Sequence, residues 1–414
     1  MDLLERFSSY CFRRRLRFFV DSGTLLGIVR HRAIIHWDYD VDLGMHTADY
    51  QRLVQEFDNP PGLRLALDWY EEPDACLCVV PEGSLAEGHP FLDVCAYAPD
   101  GRALMSDALQ RKWPLDLWRR THTERSWTYD FGIDAVEPLV GLPAWCDLFH
   151  APAGWQGRLD RHYDSWHARP ESLARAARDL PFDPAVPAVR LIPEYAKLAD
   201  GFRETGGLRP FVVRECPGFD LDAQRLGDAL CREPSRLRGY FFDGPKETDE
   251  RIPLLDPAET WQRFRAGTLE VNVTESTVTL LPRTALPRAL HDALDPGDEY
   301  ALSYVLTPDR TETPFHWDRK EGGGYLHLIE GEKFWWFVPG GEGEMEGLWG
   351  RSMTDILTSD GFRLWGRVEV VHQRAGDLVV FPVGWCHRVR THRAALGVGG
   401  YLRVPAATIA PRSS

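Results

Sequence analysis

The chain has 414 residues, with 48 Lys plus Arg against 62 Asp plus Glu, and its net charge of −14 excludes general nucleic-acid binding driven by phosphate neutralisation. Apolar residues at 43% and charged residues at 27% exclude a disordered chain, and the length predicts two or three domains with their own cores. No apolar run approaches the roughly 20 residues of a membrane span. Arg13, Arg14, Arg15 and Arg17 are followed by neither an apolar run nor a cleavage site of small residues, so the expected compartment is cytoplasmic. The eight cysteines include no CxxC pair, which predicts reduced thiols rather than structural zinc.

In chain order, LLERFSSYCFRRR reads as a helix, and RFFVDSG and HPFLDVCAY read as short strands, an α/β pattern for residues 1–178. The Pro-rich stretch around ARDLPFDPAVPAVRLIP suits a domain boundary, with a helix after it. Residues 179–414 then carry β-rich runs, LRPFVVREC, TLEVNVTESTVTLL, EYALSYVLT, GYLHLIEGEKFWWFVPGG, GDLVVFP and AALGVGGYLRV, punctuated as in a sandwich or small barrel.

Residues 20–45 hold the first site. The run Ser22-Gly23-Thr24 places a glycine where backbone can approach a phosphate, and the helix start after it favours anions. In WDYDVDLG, Asp40 and Asp42 flank Val41. On a strand both carboxylates therefore leave one face, as a divalent cation requires, and Asp38 shares that face. Asp93 interrupts the apolar strand FLDVCAY, where an acid is costly unless it meets a metal or a donor. Three converging acids imply magnesium, and Asp93 is also the candidate general base for an incoming hydroxyl.

The motifs DSGTLLGIVRHRAIIHWDYDVDLG and FLDVCAY, with VEPLVGLPAWCDLFHAPAGWQGRLDRHYDSWHARP as a closing segment, resemble the LicD and fukutin-related phosphotransferases of the nucleotidyltransferase fold. The resemblance implies transfer of a phosphocholine or phospho-alditol group from a CDP-linked donor to a hydroxyl acceptor. It makes Asp40, Asp42 and Asp93 metal ligands, with Asp38 a fourth candidate, and sets Gly23, Thr24 and Arg30 near the donor phosphates. Arg30 reads equally well as a helix-surface cation. His36 stands where the family usually has Pro, and Asp164 follows Tyr163 where Gly is usual.

The second site lies in TPFHWD and GDLVVFPVGWCHRV. His316 and Asp318 alternate on a strand, and His387 from a later strand completes two imidazoles and a carboxylate, a set that suits ferrous iron with open positions. Lys333, expected after a turn at Gly331, is a counter-ion for a dicarboxylate cosubstrate, and Thr313 adds a hydroxyl. His327 and His372 read as packing or surface residues. With GEKFWWFVP, these motifs resemble the JmjC and cupin-type 2-oxoglutarate oxygenases. That resemblance implies a double-stranded β-helix, Fe(II) held by His316, Asp318 and His387, and 2-oxoglutarate held by Thr313 and Lys333.

The reading is therefore a multidomain, bifunctional enzyme, with an α/β transferase domain at 1–178 and a β-rich oxygenase domain at 179–414. Its substrate is a small molecule, glycan or peptide. Two alternatives stay open: one domain serves only as a binding module, or the first domain nucleotidylates a protein.

Overall fold

Leu3, Leu4, Phe7, Tyr10 and Cys11, spaced for one helical face, bury themselves as α1 (Asp2–Arg13) in the core of the amino-terminal unit. The computed structural model describes residues 2–35, 40–66, 76–81, 91–98, 138–144, 148–163, 166, 186–240, 254–277, 280, 285–288, 290, 302–309, 311–316, 322–339 and 361–403. It divides into two units, Met1–Val189 and Arg190–Ser414, where the sequence reading puts the junction between 178 and 179.

In the first unit, α1 is followed by β1 (Phe18–Val20), α2 (Ser22–His31), β2 (Asp40–His46), α3 (Thr47–Glu56), β3 (Arg64–Ala66), β4 (Cys76–Val80) and β5 (Phe91–Tyr97). A hairpin, β6 (Leu139–Pro143) with β7 (Leu148–Pro152), leads into α4 (Trp155–His162). The sheet order is β1-β2-β5-β4-β3. The central pair β2 and β5 is parallel, and its register sets Asp42 beside Asp93. Because side chains alternate across a strand, this one pairing puts the acids of two distant segments on a common face.

Gly44 lies on β2 beneath the Phe19–Tyr97 ring pair, and a Cβ there would come within 2.2 Å of Phe19 Cε2. Gly44→Ala is therefore expected to destabilise this unit by about 1–3 kcal/mol through overpacking, checked by urea unfolding of the full chain against Gly207→Ala. Gly207 has open space around it and reports only backbone strain from its positive φ.

Strand β8 (Val189–Leu191) crosses the division, and the second unit continues with β9 (Glu194–Tyr195), α5 (Leu198–Thr205), β10 (Phe211–Val213) and α6 (Ala223–Cys231). Next come β11 (Leu237–Tyr240), β12 (Leu254–Leu255), α7 (Pro257–Arg265), β13 (Asn272–Thr277), β14 (Ser303–Thr307) and β15 (Glu312–His316). The remaining elements are β16 (Gly322–Pro339), α8 (Gly361–Leu364), β17 (Val368–Arg374), β18 (Leu378–Phe381) and β19 (Trp385–Arg403). Aspartates start α6 and α7: Asp222 accepts from Arg225 N and Asp256 from Glu259 N.

The two long strands organise this unit. The amino-terminal half of β16 and the carboxy-terminal half of β19 pair with each other and with β18 and β14, giving the ladder β14-β19-β16-β18. Their other halves pair again and take β15 and β17 as neighbours, giving β15-β19-β16-β17. All of these pairings are antiparallel.

Alternation then separates two cores. Tyr304, Leu306, Leu378, Val380, Leu396 and Val398 pack with Leu226 and Leu230 of α6, whereas Val305, Leu326, Trp335, Phe337, Val371, Val379, Phe381 and Val389 form a second cluster drawn from both ladders.

The turn expected at Gly331 is absent. Strand β16 runs through it, with Gly331 at φ 94 and register shifts on either side. It is a bulge: a Cβ there would lie 2.2 Å from Ala394 O of the continuous partner strand.

Candidate functional site

Carboxylate oxygens of Asp40, Asp42 and Asp93 all lie within 4.8 Å of one another. The β2–β5 register produces this cluster, and each of the three is partly buried. Burial first, and then the charges of Asp40, Asp21 and Asp93, push Asp42 up to about 8, against a lowering hydrogen bond from Gly23 N–H. Three oxygen ligands of like charge in a half-buried pocket fit a hard dication, which removes the repulsion that raises Asp42. Asp38 lies outside the described residues, as do His36 and Asp164.

The glycine turn meets this cluster through its backbone. Gly23 N donates to Asp42 Oδ2 at 2.9 Å, Asp21 N donates to Asp42 O at 3.1 Å, and Asp42 N donates to Thr24 Oγ1 at 2.9 Å. Thr24 is buried, so its hydroxyl holds β2, and contact with a donor phosphate would require uncovering it. Arg30 sits seven residues along α2 from Gly23, about 10 Å of helix rise, and donates to His31 Nε2 at 3.0 Å. It makes no hydrogen bond to the three acids, and partial burial lowers its pKa.

Features without a motif complete the site. Cys78, fully buried, sits opposite Asp93 in the β4–β5 register, and its thiol donates to Asp93 Oδ1 at 3.1 Å. Asp21 caps α2, and Arg158 of α4 forks onto it, Nε to Oδ1 at 2.8 Å and Nη2 to Oδ2 at 2.9 Å. The Tyr97 hydroxyl donates to the same Oδ2. A tripeptide rule such as DSG shows the first acid but not its partner 137 residues later.

In the second unit, His316 and His387 are cross-strand partners with ring centroids 4.3 Å apart. The Nδ1 of His316 lies 2.8 Å from Pro314 O, and that of His387 lies 3.3 Å from Trp385 O. A proton on Nδ1 in each ring puts the lone pair on Nε2, the arrangement of a ligating histidine. Burial and then His316 hold His387 well below the ordinary imidazole range, so it is neutral at pH 7. Asp318, the third expected ligand, lies outside the described residues.

Thr313 pairs with Val389 and Lys333 with Thr391, and paired residues face the same side of a sheet. Lys333 is fully buried on the same strand face as Trp335 and Phe337, and its Nζ is 3.4 Å from Thr391 Oγ1, which bonds Thr307 Oγ1 at 3.1 Å. Burial pushes the Lys333 amine down to about 7, and among the described residues no carboxylate pairs with it. The interior therefore gathers the two histidines, the lysine and the threonines, with Phe381 and Trp335 against His387. Outside this interior, His327 stacks on Phe219 and His372 on Phe334, as packing residues do.

Residues 15–137 match the family model LicD/FKTN/FKRP, nucleotidyltransferase domain. The lipopolysaccharide cholinephosphotransferase LicD of Haemophilus influenzae is 39% identical over 54 residues, 13% of this chain and 20% of that protein. The ribitol 5-phosphate transferase FKRP of Homo sapiens is 53% identical over 34 residues, 8% of this chain and 7% of that protein, and that of Mus musculus matches equally. The chain thus spans a fifth or less of these relatives. The matched segment contains β1, the glycine turn, α2, and the strands that carry Asp40, Asp42 and Asp93. Residues 15–137 form an amino-terminal LicD-family domain.

Proposed function

We propose that the first unit transfers a phospho-group, of phosphocholine or phospho-alditol type, from a CDP-linked donor to a hydroxyl. The observation that carries this reading is the Asp40–Asp42–Asp93 cluster within a LicD-family segment. The three acids would hold Mg(II), which neutralises donor phosphate charge when bound. The chain's own residues supply the rest. The Gly23 turn brings backbone against Asp42, and Asp93 accepts the proton of the attacking hydroxyl. The oxygen–phosphorus bond to the acceptor forms as the bond to CMP breaks, and CMP leaves. CMP release from CDP-choline, CDP-ribitol and CDP-glycerol, with and without Mg(II), tests this reading. The choline and ribitol forms are the donors that the relatives' names favour. A labelled nucleotide on protein instead of released CMP would favour nucleotidylation.

A second reading, independent of the family match, is an Fe(II)- and 2-oxoglutarate-dependent oxygenase in residues 179–414. It is supported by the paired His316 and His387, with Lys333 and Thr313 on the same interior of two antiparallel ladders. His316, Asp318 and His387 would hold the iron, which supplies oxygen activation when bound. Lys333 would take the distal carboxylate of 2-oxoglutarate. One oxygen atom of O2 enters succinate as CO2 leaves, and the other enters a C–H bond of the substrate.

Lys333→Met is expected to weaken 2-oxoglutarate binding by about 30-fold or more by removing the buried cation. The ammonium is the binding form and burial pushes the amine down to about 7, so wild-type affinity is expected to fall as pH rises above 7, while the Met variant stays flat. Anaerobic titration of the iron-loaded chain at pH 6.5 and 8.5 reads both effects. Two active units on one chain point to a shared substrate, in which one unit makes or tailors the hydroxyl that the other decorates. Unrelated substrates for the two activities would contradict that link.

A further inference from the structure

Beside the three acids lies a buried charge network that the matched segment does not contain in full. Asp21, Tyr97 and Arg158 are each less than 5% exposed. Asp21 Oδ1 accepts from Ser22 N at 2.8 Å and from Arg158 Nε, and Oδ2 accepts from Arg158 Nη2 and the Tyr97 hydroxyl. Arg158 Nη2 also lies 3.3 Å from the Tyr97 oxygen and 3.5 Å from Ser22 Oγ. A buried pair of this kind adds little net stability, because desolvating both ions offsets their attraction. What it does is fix geometry.

The geometry it fixes is the turn that contacts Asp42. Ser22, between Asp21 and Gly23, has φ 44, a left-handed conformation that a serine holds only when its surroundings impose it. The bond from Ser22 N to Asp21 imposes it on one side. On the other side the strained turn delivers Gly23 N to Asp42 Oδ2 and Thr24 Oγ1 to Asp42 N. Tyr97 ends β5, the strand of Asp93, so the same Asp21 carboxylate also ties down the second acid-bearing strand. Arg158 comes from α4, beyond residue 137 where the family match stops.

We propose that Arg158 is a positioning residue for the transfer reaction: through Asp21 and the strained Ser22 turn it aims the Asp42 carboxylate at the cation. The catalytic unit therefore extends through α4. This inference rests on reading Asp40, Asp42 and Asp93 as a cation site.

The test is a Mn(II) titration of the full chain followed by electron paramagnetic resonance, in a His387→Ala background so that the second unit contributes no Mn(II). Arg158→Met and Arg158→Lys are compared with the parent, each checked for folding by its thermal transition. The parent is expected to bind one Mn(II), Arg158→Met to bind at least about tenfold more weakly, as loss of a group behind a ligand does, and Arg158→Lys to recover part of the loss. Arg214→Lys, which alters an ion pair with Asp377 in the other unit, controls for general loss of stability and is expected to leave Mn(II) affinity unchanged. If Arg158→Met does not fold, the lysine variant decides, since it keeps the charge but cannot fork onto Asp21. Affinity within twofold of the parent in folded Arg158 variants overturns the positioning role and leaves the cation site standing. A parent that binds no Mn(II) overturns the cation site itself, and the positioning role with it.

Discussion

Asp42→Asn is expected to lower CMP release by about 10³-fold, the loss of about 4 kcal/mol of transition-state stabilisation, while raising the thermal stability of the metal-free chain. The two effects have one cause. Asp42 is buried beside Asp40, Asp21 and Asp93, and its carboxyl is pushed up to about 8. An isosteric amide removes one carboxylate of the proposed cation site and, with it, the repulsion that a bound cation would relieve. The same substitution keeps an oxygen for the Gly23 N–H. Sites that hold like charges together for function do so at a cost in stability.

The pH dependence follows with a definite sign. Between about pH 4 and pH 8 the folded chain retains a proton on Asp42 that the unfolded chain has released, so metal-free stability falls as pH rises through that window. Saturating Mg(II) is expected to remove most of that slope, and Asp42→Asn to flatten it without metal. Thermal unfolding from pH 5 to pH 8.5, with and without Mg(II), measures both. A slope equal in parent and variant would mean that Asp42 does not carry the effect.

The second large effect concerns the proposed oxygenase reading of the other unit, under which His387→Ala is expected to lose bound iron and to lower 2-oxoglutarate turnover by about 10³-fold or more. His387 is buried beneath Phe381 and Trp335 and lies against His316, with its Nδ1 turned to Trp385 O. Removing the His387 imidazole leaves His316 alone among the described candidate ligands. The truncation also opens a cavity, so His387→Gln, closer in volume, accompanies it. Iron content after anaerobic reconstitution and succinate formation read the outcome. Mg(II)-dependent CMP release, if the first unit acts as proposed, is expected to persist in both variants, because Asp40, Asp42 and Asp93 belong to the other unit. Iron retained at parent stoichiometry in both variants would remove the oxygenase reading.

The residues that a one-dimensional pattern can carry were legible. Asp40 and Asp42 sit two apart on a strand, so strand periodicity alone brings those two to one face, and Asp93 stands out as an acid in an apolar run. The β2–β5 register then makes that face common, which no local pattern specifies. His316 and His387 were found by motif order, and the structure adds that they are direct cross-strand partners.

Gly331 misled for a physical reason. Glycine flanked by acids reads as a turn, but here its positive φ serves a bulge within an unbroken strand, because the partner backbone at Ala394 approaches too closely for any side chain. Arg158 lies in the closing segment of the LicD resemblance, but nothing in that segment singled it out. An arginine in a polar-looking helix, WQGRLDRH, reads as solvated, and its burial depends on a carboxylate far away in the chain. Thr391, which meets Lys333, and Thr307, which meets Thr391, were invisible for the same reason: only the pairing of β19 with β16 and β14 brings the three together.

Calorimetric titration of CDP-ribitol and CDP-choline into the full chain, with Mg(II) and then after its removal by chelation, tests the central claim without knowledge of the acceptor. The account predicts one-site binding of at least one of these donors that requires Mg(II) and disappears in Asp42→Asn. Binding that survives both chelation and the substitution would contradict it, as would a chain that binds neither donor when Mg(II) is saturating.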